Sequence, residues 1–137
     1  MDFIDTNLIV YANDGRDPAK QARALEVISQ AIKTTSGVIS VQVLQEYANT
    51  ALNKLGQEPA IVVQQLALLE NLTVVQPDPA MVRRAVELKT FYKLSFWDAS
   101  ILAAAQSAGC KQLLSEDLNG GQLFGSIQVV NPLIDYE

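Results

Sequence analysis

The sequence predicts an α/β fold in which helices cover both faces of a mainly parallel sheet, giving a three-layer α/β/α sandwich. Short apolar or β-branched segments alternate with longer segments of helical periodicity. Two Asp-Pro pairs mark helix starts, because aspartate caps a helix and proline suits its first position. Apolar residues make up 49% of the 137 residues, which is enough for a core without disulfides. We therefore expect a single domain over residues 1–137.

The first half of the chain predicts two strands and four helices. Phe3 and Ile4 form a short apolar strand, and Gly37 breaks a helix before a second, β-branched strand. In order, we expect a strand at 3–4, a helix at 8–12, a helix from residue 18, a strand at 38–41, a helix around 44–55 and a helix from 59 to about 71. The helix from residue 18 should bury Ala22, Leu25, Ile28 and Ile32. The helix after the second strand should bury Leu44, Tyr47, Ala48, Ala51, Leu52 and Leu55.

The second half repeats the alternation of strand and helix. Asp78-Pro79 starts one helix, and Ser95 caps another that Gly109 ends. In order, we expect a strand at 73–75, a helix from residue 79 that buries Val82, Ala85, Val86 and Leu88, a helix at 96–108, a strand at 113–114, a turn at 119–121 and a strand at 127–130.

The composition restricts the chemistry that this chain can perform. It contains no histidine, which excludes Ser-His-Asp and Cys-His catalysis and every histidine-assisted ribonuclease mechanism. With one cysteine and no histidine, a structural zinc site is excluded as well. Catalysis must therefore use carboxylates, hydroxyls, Lys, Arg, Tyr or a bound hard metal ion.

The same features predict a soluble, cytoplasmic protein. The first residues lack the basic start and the cleavage site of a signal peptide, and no apolar run approaches the length that spans a bilayer. Cys110 has no partner for an intramolecular disulfide, which fits a reducing compartment, and we expect it to be a buried apolar residue.

Four acidic residues follow predicted strands or open predicted helices. Asp5 follows the first strand, Glu46 lies early in the helix after the second, Asp98 lies in the first turn of a helix, and Asp117 follows the strand at 113–114. Parallel sheets collect their ligand sites at the carboxyl ends of the strands. Clustered carboxylates repel one another unless cations compensate, and hard oxygen ligands select Mg²⁺ or Mn²⁺. The pattern indicates a site that could activate water against a phosphodiester.

Each acid also has a purely structural interpretation. Asp5 can cap the helix that follows it, and Ser95 with Asp98 forms the sequence pattern of a capping box. Glu46 shares a polar helix face, where a solvated side chain is an ordinary finding, and Asp117 can form a turn. Spacing alone leaves both interpretations open.

Four motifs, taken in order, resemble those of PIN domains. The segment Phe-Ile-Asp5-Thr6-Asn7 resembles the first motif, and Val-Leu-Gln-Glu46-Tyr resembles the second. Leu-Ser-Phe-Trp-Asp98 opens a helix of small residues like the third motif, and Ser115-Glu-Asp117 resembles the fourth. The similarity covers essentially the whole chain and is greatest to small PIN proteins of the VapC-like toxin type.

This resemblance implies a ribonuclease that depends on Mg²⁺ or Mn²⁺, forms a homodimer and is neutralised by an antitoxin protein. It implies that Asp5, Asp98 and Asp117 are the principal metal ligands and that Glu46 completes the acidic pocket. Thr6, Asn7 and Ser115 would orient these carboxylates or contact phosphate. Glu116 is an additional acid beside Asp117, so the division of labour between these two residues is open.

The net charge of −5 argues, by itself, against a nucleic acid partner, because Lys and Arg normally supply that affinity. Bound divalent cations would invert the sign of an acidic pocket. The basic residues also form two groups, which solvated helix faces explain equally well: Arg16, Lys20 and Arg23, and Arg83, Arg84, Lys89 and Lys93.

Three other functions compete with the nuclease. A phosphatase with Asp5 as nucleophile would need a second Asp where this chain has Asn7. A receiver-like domain would need an acidic pair at the first strand and a lysine after a late strand, which Ser115-Glu116-Asp117 does not offer. A PIN fold that binds RNA or a partner without cutting it is the third alternative.

Overall fold

A computed structural model describes residues 1–134 of the chain. Its helices are α1 (Thr6–Ala12), α2 (Pro18–Lys33), α3 (Val41–Asn53), α4 (Pro59–Leu69), α5 (Pro79–Tyr92) and α6 (Phe96–Ser107). Its strands are β1 (Asp2–Ile4), β2 (Gly37–Ser40), β3 (Thr73–Val75), β4 (Gln112–Leu114), β5 (Leu123–Phe124) and β6 (Ile127–Val130). No helix of residues 1–134 is long and apolar enough to cross a membrane.

The strands form one six-stranded sheet in the order β3-β2-β1-β4-β6-β5. Every neighbouring pair is parallel except β5 and β6, which are antiparallel. The chain builds outwards from β1 in one direction through β2 and β3, and then returns to add β4 on the other side of β1. The strand order therefore reverses between β1 and β4, which is where open α/β sheets bind their ligands.

The central strands are buried on both faces, as expected when helices cover a parallel sheet on both sides. Phe3, Ile4, Val38, Ile39 and Leu113 have no exposed surface. Gly37 allows this close packing, because a Cβ atom there would lie 2.6 Å from the Leu72 side chain and 2.8 Å from that of Ala31. The predicted three-layer α/β/α fold is confirmed.

The structure differs from the sequence prediction at one strand boundary and at one edge strand. Val41 begins α3 and does not end β2, because Ser40 Oγ accepts a hydrogen bond from the Val43 N–H and caps the helix. The short edge strand β5 was not predicted. Cys110 is buried as expected, and burial raises the pKa of its thiol to about 11.

The predicted buried faces of the helices were too wide. Val82 and Val86 on α5 are 51% and 52% exposed, whereas Ala85 and Leu88 on the same helix are buried. Leu25 and Leu52 are 48% and 44% exposed, and Ala22 is also exposed. Periodicity identifies the apolar stripe of a helix, but the width of the neighbouring helices decides how much of the stripe they cover.

Candidate functional site

The site lies where the strand order reverses, at the carboxyl ends of β1 and β4. Ile4 pairs with Leu114, so Asp5 and Ser115 leave the sheet side by side. The Asp5 N–H donates to the Leu114 carbonyl at 3.0 Å, and the Ser115 hydroxyl donates to Asp5 Oδ2 at 2.8 Å. Parallel pairing therefore brings together two motifs that are 110 residues apart in the sequence.

Asn7 connects the acidic residues of the two strand ends. Its Nδ2 donates to Asp5 Oδ2 at 3.3 Å, to Ser115 Oγ at 3.3 Å and to Asp117 Oδ2 at 3.2 Å. Its Oδ1 accepts from the Glu116 N–H at 3.1 Å, and the Asp117 N–H donates to Ser115 Oγ at 3.1 Å. One amide side chain thus fixes the positions of Asp5 and Asp117 relative to each other.

Asp5 has both the structural and the electrostatic properties that the sequence suggested. Its Oδ1 accepts from the Thr6 N–H at 2.7 Å and caps α1. Burial raises the pKa of the Asp5 carboxyl to about 6; the hydrogen bonds from Ser115 and Thr6 oppose this rise, and the charges of Asp117 and Glu46 add to it. The Asp5 carboxylate is therefore destabilised where it stands, as expected of a group that a cation would neutralise.

Glu46 reaches the site from α3. The Thr6 hydroxyl donates to Glu46 Oε1 at 2.6 Å, and Gln42, one turn earlier on α3, donates to Oε2 at 3.3 Å. The same Gln42 amide donates to the Trp97 carbonyl at 3.2 Å. Glu46 is held in place, which the interpretation as a simple solvated side chain did not predict.

Asp98 is less closely integrated than the other three acids. It lies half-buried in the first turn of α6, where its N–H donates to Ser95 Oγ at 3.1 Å, as in one half of a capping box. Its carboxylate accepts no hydrogen bond from residues 1–134. The connection to the site runs through the neighbouring residue Trp97, whose carbonyl binds the amide of Gln42.

Glu116 has a different environment from Asp117. Its carboxylate accepts from the Tyr11 hydroxyl at 2.6 Å and from Lys20 Nζ at 2.7 Å. Burial raises the pKa of Glu116, but the hydrogen bonds from Lys20 and Tyr11 outweigh it and leave the pKa below its usual value. Lys20 Nζ also lies 4.7 Å from the centre of the Tyr11 ring. Both residues line the cleft, but Glu116 is paired with Lys20, whereas Asp117 forms no ion pair within residues 1–134.

The sequence analysis did not assign Tyr11, Lys20 or Gln42 to the site. Tyr11 follows Asn7 by one helical turn on α1, and Gln42 precedes Glu46 by one turn on α3, so helical spacing could have identified both. Lys20 was placed only in a basic group, because its pairing with Glu116 is a tertiary contact.

A cleft with a volume of about 530 Å³ opens beside these residues. Of the predicted site residues, Thr6, Asn7, Glu46, Glu116 and Asp117 line it, whereas Asp5 lies buried behind them and Asp98 is not part of its lining. The other lining residues are Val10, Tyr11, Asp14, Arg16, Asn49, Thr50 and Lys54.

The donor set fits a hard divalent cation. Within residues 1–134, no three acidic or cysteine side chains are gathered into a ready-made metal-binding group. Asp5 and Asp117 do share the Asn7 amide, and the charges of Asp117 and Glu46 both act on the buried Asp5. Mg²⁺ characteristically takes one or two carboxylates and keeps several waters, so such a pair meets its requirements.

The fold and the site together define an α/β protein with an acidic cleft at the reversal of its strand order. A family model of the PIN domain matches residues 3–119. The chain therefore belongs to the PIN-domain family, whose members are nucleases. No curated protein sequence matches it.

Solved structures of similar fold include several proteins of toxin–antitoxin systems. VapC20 of Mycobacterium tuberculosis, described as a toxin that cleaves the sarcin–ricin loop, superposes with a TM-score of 0.69 at 20% identity, over 85% of this chain and 92% of that one. A toxin–antitoxin complex from Klebsiella pneumoniae gives a TM-score of 0.69 at 22% identity, over 96% and 98% of the two chains. DNA-bound VapBC from Salmonella typhimurium gives 0.65 at 17% identity, over 93% and 95%. At these identities the likeness shows the fold.

Proposed function

We propose that this chain is a metal-dependent endoribonuclease that hydrolyses RNA phosphodiester bonds at the cleft lined by Glu46 and Asp117, with the buried Asp5 beside it and Asp98 from α6. The observation that carries the proposal is the state of Asp5. It is buried at the strand-order reversal, its pKa is raised to about 6, and the charges of two further carboxylates act on it. No ion pair within residues 1–134 involves any of these four acids.

Asp5 and Asp117 would hold Mg²⁺ or Mn²⁺, Glu46 would complete the pocket and Asp98 would approach from α6. When bound, the cation supplies Lewis acidity that neutralises phosphate charge and makes water a stronger nucleophile. Hydrogen bonds from Asn7 and Ser115 hold the carboxylates of Asp5 and Asp117 at fixed positions relative to each other. Hydrogen bonds from Thr6 and Gln42 orient the Glu46 carboxylate towards the cleft. Glu116, paired with Lys20, contributes position and not metal binding.

We also propose that the protein is the toxin of a toxin–antitoxin pair, acts in the cytoplasm as one domain over residues 1–137, and forms a homodimer. The folds that it resembles include toxins described in complex with antitoxins. Apolar side chains exposed on two surfaces support partner binding: Leu25 and Leu68 beside the groove between α2 and α4, and Val82, Val86, Phe91 and Trp97 on α5 and α6.

The experiment is cleavage of end-labelled RNA by the purified chain with Mg²⁺, with Mn²⁺ or with a chelator. Total RNA and isolated ribosomal RNA would serve as substrates. We expect cleavage that requires metal and that falls by about 1,000-fold or more in Asp5→Asn and in Asp98→Asn, because either change removes a carboxylate that supports metal-dependent charge stabilisation.

Asp2→Asn is the matched control, because Asp2 lies at the opposite end of β1. It should cleave like the unchanged protein. Cleavage that persists in Asp5→Asn would reveal a contaminating ribonuclease, and full activity in Asp98→Asn would remove Asp98 from the site. RNA binding without cleavage of any RNA would favour a binding protein built on this fold.

A further inference from the structure

The cleft has a basic end as well as an acidic one. Arg16 and Lys54 line it together with the carboxylates of Glu46 and Asp117. Asn49 and Thr50, on the same side of α3, lie between the two ends and offer uncharged polar groups. An acidic protein with a net charge of −5 thus places two cations beside its carboxylate cluster.

Arg16 is exposed but held in one orientation. Its side chain is 68% exposed, and its Nε and Nη2 donate to the two oxygens of Asp14 at 2.9 and 2.8 Å. The backbone N–H of Arg16 also donates to Asp14 Oδ1 at 3.0 Å. A guanidinium has five N–H donors, so three remain for a ligand after these contacts.

Lys54 directly follows the last residue of α3, the helix that carries Glu46. It follows Glu46 by eight residues, which places it about 12 Å further along the helix at a rise of about 1.5 Å per residue. Its side chain is exposed and forms no ion pair with residues 1–134. The hydrogen bonds from Arg16, with a smaller effect of the Lys54 charge, hold the pKa of Asp14 at about 2, so this carboxylate stays ionised and keeps Arg16 in place.

We propose that Arg16 and Lys54 form a subsite for the RNA backbone, binding a phosphate of the strand to one side of the bond that is cut. The proposal rests on the nuclease function proposed above and extends its substrate contacts. A pre-oriented guanidinium suits the two oxygens of a phosphate, and a lysine adds a mobile point charge. This arrangement supplies RNA affinity locally in a chain whose overall charge is unfavourable for it.

The test measures binding without cleavage. Every protein carries Asp98→Asn in the presence of Mg²⁺, and the probe is a fluorescently labelled single-stranded RNA of mixed sequence, followed by anisotropy over a range of salt concentrations. We expect Lys54→Gln to weaken binding by roughly 3- to 10-fold and to lower the slope of log K against log salt by about 0.7, the value for one phosphate contact on a single strand.

Lys111→Gln is the matched control, because Lys111 is also exposed but precedes β4 at its amino end and does not line the cleft. It should bind as its parent does. Arg16→Lys keeps the charge and loses the planar fork, so it should weaken binding while leaving the salt slope nearly unchanged.

Equal affinity and slope in the Lys54→Gln and parent proteins would overturn the subsite, as would an equal loss in Lys111→Gln or an absence of RNA binding. Because the measurement records binding and not turnover, a protein that binds this RNA through Lys54 but cleaves no RNA would contradict the nuclease proposal and keep the subsite.

Discussion

The proposed ligands Asp5 and Asp98 have the same side chain in two different environments. Asp5 is buried and accepts hydrogen bonds from Thr6, Asn7 and Ser115. Asp98 is half-buried in the first turn of α6, and its carboxylate accepts no hydrogen bond from residues 1–134. Hydrogen bonds within the protein orient the Asp5 carboxylate. No hydrogen bond from residues 1–134 orients the Asp98 carboxylate.

This difference in environment means that the two residues would contribute to the proposed metal site at different costs in folding free energy. Fixing Asp5 in a buried position costs free energy, because burial raises its pKa above the usual value. Leaving Asp98 at a helix N-terminus is favourable, because the helix dipole stabilises a negative charge there. We therefore expect the negative charge of Asp5 to lower stability and that of Asp98 to raise it, even though substitution of either residue abolishes the proposed cleavage.

The largest expected effect on stability is that of Asp5→Asn in the absence of metal. This change should remove a pH dependence of the free energy of unfolding worth up to about 3 kcal/mol between about pH 4 and pH 8, because a pKa of about 6 instead of 3.8 disfavours the ionised folded state by about 1.4 kcal/mol per unit. The folded protein binds this proton more tightly than the unfolded chain does. Its contribution to stability is therefore complete below about pH 4 and is lost as the pH rises through about 6. Urea denaturation in a chelator, between about pH 4 and pH 8, measures it.

Asp98→Asn is the comparison for that experiment. It should lower the free energy of unfolding at pH 7 by about 0.5 kcal/mol, because it removes a charge from a helix N-terminus. A stabilising Asp98→Asn, or an Asp5→Asn protein that keeps the full pH dependence of the unchanged protein, would contradict the contrast between the two residues.

Asn7→Ala should weaken metal binding by about 10- to 100-fold, because it removes the amide that connects Asp5 to Asp117. Calorimetric titration with Mn²⁺ measures this affinity. The control is Asn71→Ala, since the Asn71 amide donates to the Leu68 carbonyl and neither residue lines the cleft. Unchanged affinity in Asn7→Ala would mean that the two carboxylates need no support from Asn7.

Ser95→Ala tests the environment of Asp98 and should have the smallest effect on metal affinity. Loss of the cap should lower the free energy of unfolding by about 1 kcal/mol, because the Asp98 N–H loses its acceptor. Mn²⁺ affinity should change by less than about 3-fold, since Ser95 orients the backbone of α6 and not the Asp98 carboxylate. A large loss of Mn²⁺ affinity with little loss of stability would show that the cap positions the carboxylate directly.

Much of the fold could be predicted from local signals. Asp17, Asp78 and Ser95 each cap a helix as the sequence indicated, and each aspartate is followed by proline in the first turn. The failures concern side chains whose environment is decided by distant neighbours. Val82 and Val86 follow the period of a buried face, yet each is about half exposed. The two-residue strand β5 is too short to give a periodic signal.

The candidate site shows the same division. Motif order was enough to select Asp5, Glu46, Asp98 and Asp117 and their polar neighbours. The contacts that set their properties join segments far apart in the chain, such as Ser115 to Asp5 and Lys20 to Glu116. The order of strands in the sheet determines these contacts, and no local pattern contains that order.

The sequence by itself determined the fold class, the candidate acidic residues and the exclusion of histidine mechanisms, because composition, periodicity and capping act over a few residues at a time. Only the tertiary structure decided which acidic side chains share hydrogen-bond partners and which lysine forms an ion pair with which carboxylate. Parallel pairing of β1 with β4 places Asp5 beside Ser115 and within the influence of Asp117, while the packing of α2 directs Lys20 to Glu116. The physical reason is that burial and charge interactions depend on distance in space, which the fold sets and which separation along the chain does not.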